Sequence, residues 1–306
     1  MGTIANTRPT PTQMPAALPR WLVQGVGQQD AEKASYFSIG ALICLDPLVR
    51  SAEPIGALWR KRLALDAAAA VCALEGRREG LGQLRDAFVL RGALDDPGPA
   101  GRQLLGWRYL GEARAQRSAA WAELLPGFFD LAPAPVVEVL RALNGRFVGR
   151  SFPLQFPAEA AAAVLQLGPQ HRGLALWVAD ALLARALGWE RAVPLLAAHL
   201  PRAAFRLEGE AWQGACAAAW GRGAVGAYAV YGELARRSNA LLTVAPKLRG
   251  KDAAAIVETL LSEDAVAAQA GPHTSDRAAR RLFERLMILG VVRELTGRGT
   301  FRLYGI

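Results

Sequence analysis

The residues able to do chemistry are few and scattered. His171, His199 and His273 stand in no metal-ligand spacing with a cysteine, an aspartate or one another. Cys44, Cys72 and Cys216 lie far apart, each inside an apolar helical stretch, and read as buried thiols rather than a disulfide or zinc framework. No glycine-rich phosphate loop precedes a helix, and no serine sits in a nucleophile elbow. Two acidic spots remain. Asp95 and Asp96 precede Pro97, Gly98 and Pro99. That run could in principle bind a metal, but Asp before Pro is foremost a turn and helix N-cap. Arg85, Asp86 and Arg102 flank it and could supply an ion-pair network. Asp180 falls in a helix over 174–187 that is apolar nearly all round. It is either a buried acid of raised pKa or, the more ordinary reading, the partner of an arginine from the body. Together these residues predict no catalytic group, no cofactor, no metal site and no enzyme activity.

The cations are better organised. Ala279, Leu282, Phe283, Leu286 and Leu289 recur at the spacing of one helix face, with Ser275 to cap the helix and Gly290 to end it. Arg277, Arg281 and Glu284 then point outward, flanked by Arg280 and Arg285. Upstream, 251–261 reads as a helix with Ile256 and Leu260 inward, and Ser262 is placed to cap a short second helix over 263–269 before a turn at 270–273. Downstream, 291–295 and 301–304 are β-prone runs joined by the Gly-flanked tip 296–300, a hairpin. Helix, helix, turn, helix and two-stranded wing make a winged helix-turn-helix. The first half of its third helix is the part that enters a major groove, and arginine suits guanine edges and phosphates. The expected double-stranded-DNA contacts are Thr274, Ser275, Arg277, Arg280, Arg281 and Arg285, with Arg298 at the wing tip. The alternative is a winged helix used for protein contacts or dimerisation, its arginines a solvated face and its cationic character blunted by Glu284 beside Arg281.

These elements close a chain of 306 residues, 52% hydrophobic, with 36 Lys plus Arg against 27 Asp plus Glu. Such a chain has ample core material and is not of the disordered class. The formal charge of +9 leans toward an acidic partner such as nucleic acid. However, Lys33, Lys61, Lys247 and Lys251 are the only lysines, and an Arg-, Ala-, Gly- and Pro-rich chain also reflects GC-rich coding. From Lys247 onward ten cations face seven anions, a higher charge density than in the rest. No charge-free apolar run reaches the ~18 residues of a membrane span. Without a basic-then-apolar leader, the expectation is a soluble cytoplasmic protein with no membrane partner.

The expected fold class is mainly α: a flexible N-terminal arm over 1–19 (Pro9, Pro11, Pro15, Pro19), an all-helical body over 20–243, and the winged helix over 244–306. Body helices are predicted near 31–45, 55–75, 78–91, 98–114, 134–147, 157–167, 172–187, 190–200 and 210–240. Pro47, Pro54, Pro97, Pro133, Pro153, Pro157 and Pro169 stand where helices should start, and Arg222-Gly223 marks a break. Trp59, Trp107, Trp121, Trp177, Trp189, Trp212 and Trp220 read as core.

Several strings carry a resemblance. They are Leu84-Arg85-Asp86-Ala87, residues 95–102, residues 244–249, residues 275–283 and Phe301-Arg302-Leu303-Tyr304-Gly305. In this order they resemble an uncharacterised alphaproteobacterial family, typical of rhizobia and often plasmid-borne, catalogued as a domain of unknown function. The resemblance runs from about residue 18 to the end and implies no activity or site residue. The tail alone is similar to the winged helix that closes many Fic-type proteins. The Fic catalytic motif, His-Pro-Phe with a Gly-Asn-Gly-Arg loop, is absent, which argues against adenylylation. The functional expectation is a DNA-binding protein of plasmid or chromosome maintenance or of transcription regulation, its body dimerising or binding a partner or ligand. The rival is a non-enzymatic interaction subunit.

Overall fold

Runs of Ala and Leu broken by Pro and Gly favour many short-to-medium helices, because straight-chain and small residues lose little freedom in a helix. The computed structural model describes residues 11–27, 30–91, 95–146, 153–248, 252–269 and 275–306. It is mainly helical, with a small three-stranded antiparallel sheet near the C-terminus. The helices are α1 (Arg20–Gly25), α2 (Ala31–Arg50), α3 (Ile55–Leu74), α4 (Leu81–Val89), α5 (Gly98–Leu110), α6 (Trp121–Phe129), α7 (Pro133–Arg146), α8 (Gln155–Leu165), α9 (Arg172–Ala186), α10 (Gly209–Val244), α11 (Ala253–Ser262) and α12 (Asp276–Ile288). The strands are β1 (Val266–Ala267), β2 (Arg293–Glu294) and β3 (Leu303–Gly305). Among the described residues no helix is long and apolar enough to cross a membrane.

The chain divides into two compact units. The larger comprises Ala17–Ala52 and Trp59–Val230; the smaller holds Glu53–Leu58, Tyr231–Ile306 and the described residues up to Ala16. In the larger unit α9 is the central helix: Gly173 to Ala184 are all buried, as expected of a helix apolar on every face. Trp177 stacks on Tyr109 at 6.3 Å and meets Trp121 edge-on at 5.3 Å. The seven expected core tryptophans are all buried. Several of their indole N–H groups reach carbonyls where a chain passes close: Trp59 donates to Ala227 O, Trp177 to Gly106 O and Trp212 to Ala158 O, each at 2.8 Å. A large apolar ring whose one donor is satisfied both stabilises and orients its helix.

Four departures from the sequence expectation have local causes. α2 does not stop before Pro47 but runs through it to Arg50. The lost ladder bond is offset at the helix end, where Arg50 pairs with Asp46 at 2.8 Å and donates to Leu187 O and Gly188 O at 2.7 and 3.0 Å, serving carbonyls left over at the end of α9. No helix forms over 190–200. Pro194 carries no N–H, and the N–H groups of Leu195 and Leu196 are taken by the Asp180 carboxylate. α10 is unbroken at Arg222-Gly223; Gly223 is a point of contact, where a Cβ would stand 2.3 Å from Leu195 O. Finally, Thr12, expected on a flexible arm, is buried, its N–H on Asn239 Oδ1 at 2.8 Å and its carbonyl accepting from Asn239 Nδ2 at 2.9 Å.

Candidate nucleic-acid interface

The smaller unit is built around its last strand. β3 lies between β1 and β2, with Tyr304 opposite Val266 on one side and Glu294 on the other. Phe283 of α12 stacks on Tyr304 with ring centroids 4.5 Å apart, and both are buried. Ala279, Leu286, Leu303 and Ile306 are buried as well, and so are Val257, Leu260 and Leu261 of α11. α12 is defined at both ends. Ser275 caps it, its Oγ accepting the Ala278 N–H at 3.4 Å. Gly290 takes the left-handed conformation (φ 70°), and the bonds Val291 N to Leu286 O and Gly290 N to Met287 O close the helix end.

That anchoring fixes what α12 shows to solvent. Arg277, Arg280, Arg281, Glu284 and Arg285 are exposed. Arg277, Arg281 and Arg285 are spaced i, i+4, i+8, a row about 12 Å long at ~1.5 Å per residue. None of the four arginines forms an ion pair or side-chain hydrogen bond with the described residues, and the Arg281–Glu284 pair that would suit the alternative reading is not made. Ser275 is exposed beside them, its hydroxyl engaged in the cap. Thr274 lies outside the described residues. Arg298 is exposed in the β2–β3 loop, where its carbonyl accepts from Arg302 Nε at 2.9 Å. The structure therefore places Arg277, Arg280, Arg281 and Arg285 on one helix and Arg298 on the loop of the same small unit.

Three local expectations are corrected. Ser262 caps no second helix: it ends α11, its Oγ donating to Thr259 O at 3.3 Å, and the segment after it forms β1. The two residues of β1 pair with β3, 38 positions away for Val266 and Tyr304 by their numbering, a long-range contact that outweighs the local helix preference of an Ala-rich run. Phe301 does not start a strand: it has φ 52° and is 73% exposed. Leu289, expected inward, is 43% exposed, and Ile288 beyond it is 86% exposed. Ile288 stands eleven residues, about three turns, after Arg277, so helical spacing alone could have placed it on the arginine row.

The family model described as "Protein of unknown function (DUF1403)" matches residues 6–306. The chain belongs to this family. No curated protein matches the chain, and no solved structure does.

The acidic spots are structural in their contacts. Asp96 accepts the Gly98 N–H at 3.1 Å and pairs with Arg102 at 2.8 Å; Arg102 and the Gly98 N–H hold its carboxyl below the usual range. Arg102 also reaches Asp130, which sits in the left-handed region (φ 56°), at 3.2 Å. Asp180 pairs with no arginine among the described residues. Its Oδ2 accepts the N–H groups of Leu195 and Leu196 at 2.9 and 3.1 Å, and its Oδ1 accepts Trp220 Nε1 at 2.9 Å. Burial pushes its pKa up to about 7 against the pull of those three donors. The sequence reading passed over Glu75, at the end of α3. It accepts Gln103 Nε2 at 2.7 Å and lies 3.5 Å from Arg77, and burial raises its pKa. Among the described residues no three His, Cys, Asp or Glu are grouped to hold a metal ion.

Proposed function

We propose that the smaller unit is a reduced winged helix-turn-helix and that the protein binds double-stranded DNA through it. The order α11, β1, α12, β2, β3 with β3 central supports the winged-helix reading, the β2–β3 loop being the wing. The usual middle helix is missing among the described residues, its place before α12 taken by β1. The observation that carries the proposal is the row Arg277, Arg281, Arg285, with Arg280 beside it. An internal ion pair would cancel such a row; these guanidinium groups have no acceptor among the described residues. Phosphate or guanine would supply one. Arg298 on the wing adds a contact to a phosphate or a neighbouring minor groove.

The test is fluorescence anisotropy of the full chain on a mixed-sequence duplex, titrated with salt. Contact with three to five phosphates gives log K against log salt a slope of about −3 to −4. The triple change Arg277→Ala, Arg281→Ala, Arg285→Ala is expected to flatten that slope by roughly 2 to 3 while leaving the circular-dichroism spectrum unchanged, because all three side chains are in solvent. Unaltered binding by the triple variant sinks the site assignment; no binding by the folded protein at ~50 mM salt sinks the DNA reading.

A second reading has its own observation. Ile288 and Phe301, 86% and 73% exposed, are apolar groups that duplex phosphates would not reward. They favour a protein-docking surface, whose signature would be stable co-purification with a partner together with absence of DNA affinity.

A further inference from the structure

A cleft of about 640 Å³ opens in the larger unit, on the first half of α10. That volume is within the range of small-molecule sites. Ala211, Gly214, Ala215 and Ala218 line it from α10, a single helix face at three- and four-residue spacing. Side chains this short leave room that no described residue fills. At the far end of the face stands Arg222, and on the facing segment 198–201 stands His199.

These two polar groups are incompletely matched. Arg222 donates one hydrogen bond, Nη2 to His199 O at 3.0 Å, out of the five its guanidinium offers, and has no carboxylate partner among the described residues. The His199 ring nitrogens bond to none of the described residues, and its ring packs where a Cβ on Gly226 would stand 3.3 Å from Cε1. Burial disfavours the charged form of both, and the Arg222 charge pushes His199 further down. A half-buried guanidinium without a counter-charge is costly unless something anionic meets it. The lining around it is more apolar than polar, which suits an amphipathic ligand better than a nucleic-acid backbone, and a single guanidinium suits a monoanion better than a phosphate dianion.

We propose that this cleft is a binding site for a small amphipathic carboxylate, its head on Arg222 and its apolar body along the Ala/Gly face of α10. The His199 ring lies at the head-group end as a second donor. The site is independent of the DNA reading, which rests on other residues.

The probes are decanoate and its neutral counterpart 1-decanol, each read by displacement of the fluorescent anion 1-anilinonaphthalene-8-sulfonate from the full chain. The wild-type protein is expected to bind decanoate at least tenfold more tightly than decanol. In Arg222→Leu that preference should collapse toward one. In Ala215→Leu, which fills the cleft and keeps the guanidinium, both ligands should weaken at least tenfold. The proposal is overturned by a wild-type protein that binds neither ligand or prefers neither. It is equally overturned by decanoate affinity unchanged in both folded variants. Should either variant fail to fold, the wild-type preference decides alone.

Discussion

Asp180 stabilises a segment that has no regular structure of its own. Residues 192–197 are buried, and a buried loop must find partners for its N–H groups. One carboxylate accepts two of them and an indole besides. Asp180→Asn keeps the shape but turns an acceptor oxygen into an NH₂ donor facing a donor. It is expected to lower stability by about 2–3 kcal/mol, read by urea unfolding. The same residue sets a pH dependence. Its folded pKa, about 7, lies above the ordinary carboxylate value it has when unfolded. Between about pH 4 and 7 the native state therefore holds more protons than the unfolded state, and stability falls as pH rises through that window. The contribution present below pH 4 is lost above 7, at most about 4 kcal/mol. A leucine at position 180 should remove this dependence, whatever its own cost; a pH–stability profile unchanged by that substitution would contradict the assignment. Much of this was legible: the all-apolar helix around Asp180 announced a buried acid. Its partners were not, because backbone N–H groups leave no mark in a sequence.

The long helix α10 lets its neighbours come close because of its glycines. Gly223 admits Leu195 O, and at Gly221 an added Cβ would stand 2.4 Å from Ser38 Oγ, whose hydroxyl donates to Ala217 O at 2.5 Å. Gly223→Ala places a methyl against a backbone carbonyl that cannot swing away. We expect a loss of about 1–3 kcal/mol, although alanine is the better helix former; a neutral or stabilising result in thermal unfolding would contradict the contact. Local signals such as Gly223 are ambiguous, since a helix break and a close crossing both call for glycine. The elements that the sequence declared well are those whose ends and faces are local: α9 by its uniform burial, and α12 by Ser275, Gly290 and its apolar stripe. Those it misdeclared depend on distant partners: 190–200 on Asp180, 263–269 on β3, and the stretch through Pro47 on the carbonyls at the end of α9.

For the chain as a whole, the two expected functions fall on separate units. The arginine row belongs to the smaller unit and the carboxylate cleft to the larger. The cationic row was readable because a helix wheel needs only sequence. The cleft was not, since it is defined by what Ala211, Gly214, Ala215 and Ala218 fail to fill. One arrangement in the smaller unit also bears on how the protein is handled. β1 and β2 are not paired with each other and are both held by β3, which follows an exposed loop carrying Arg298. A single tryptic nick after Arg298 would cut the link between β2 and the central strand, which would then be held by its pairing and by buried side chains such as Leu303 and Tyr304. Light digestion is therefore expected to loosen this sheet and the packing of α12 on it, and bound DNA, by covering the nick site, should protect both.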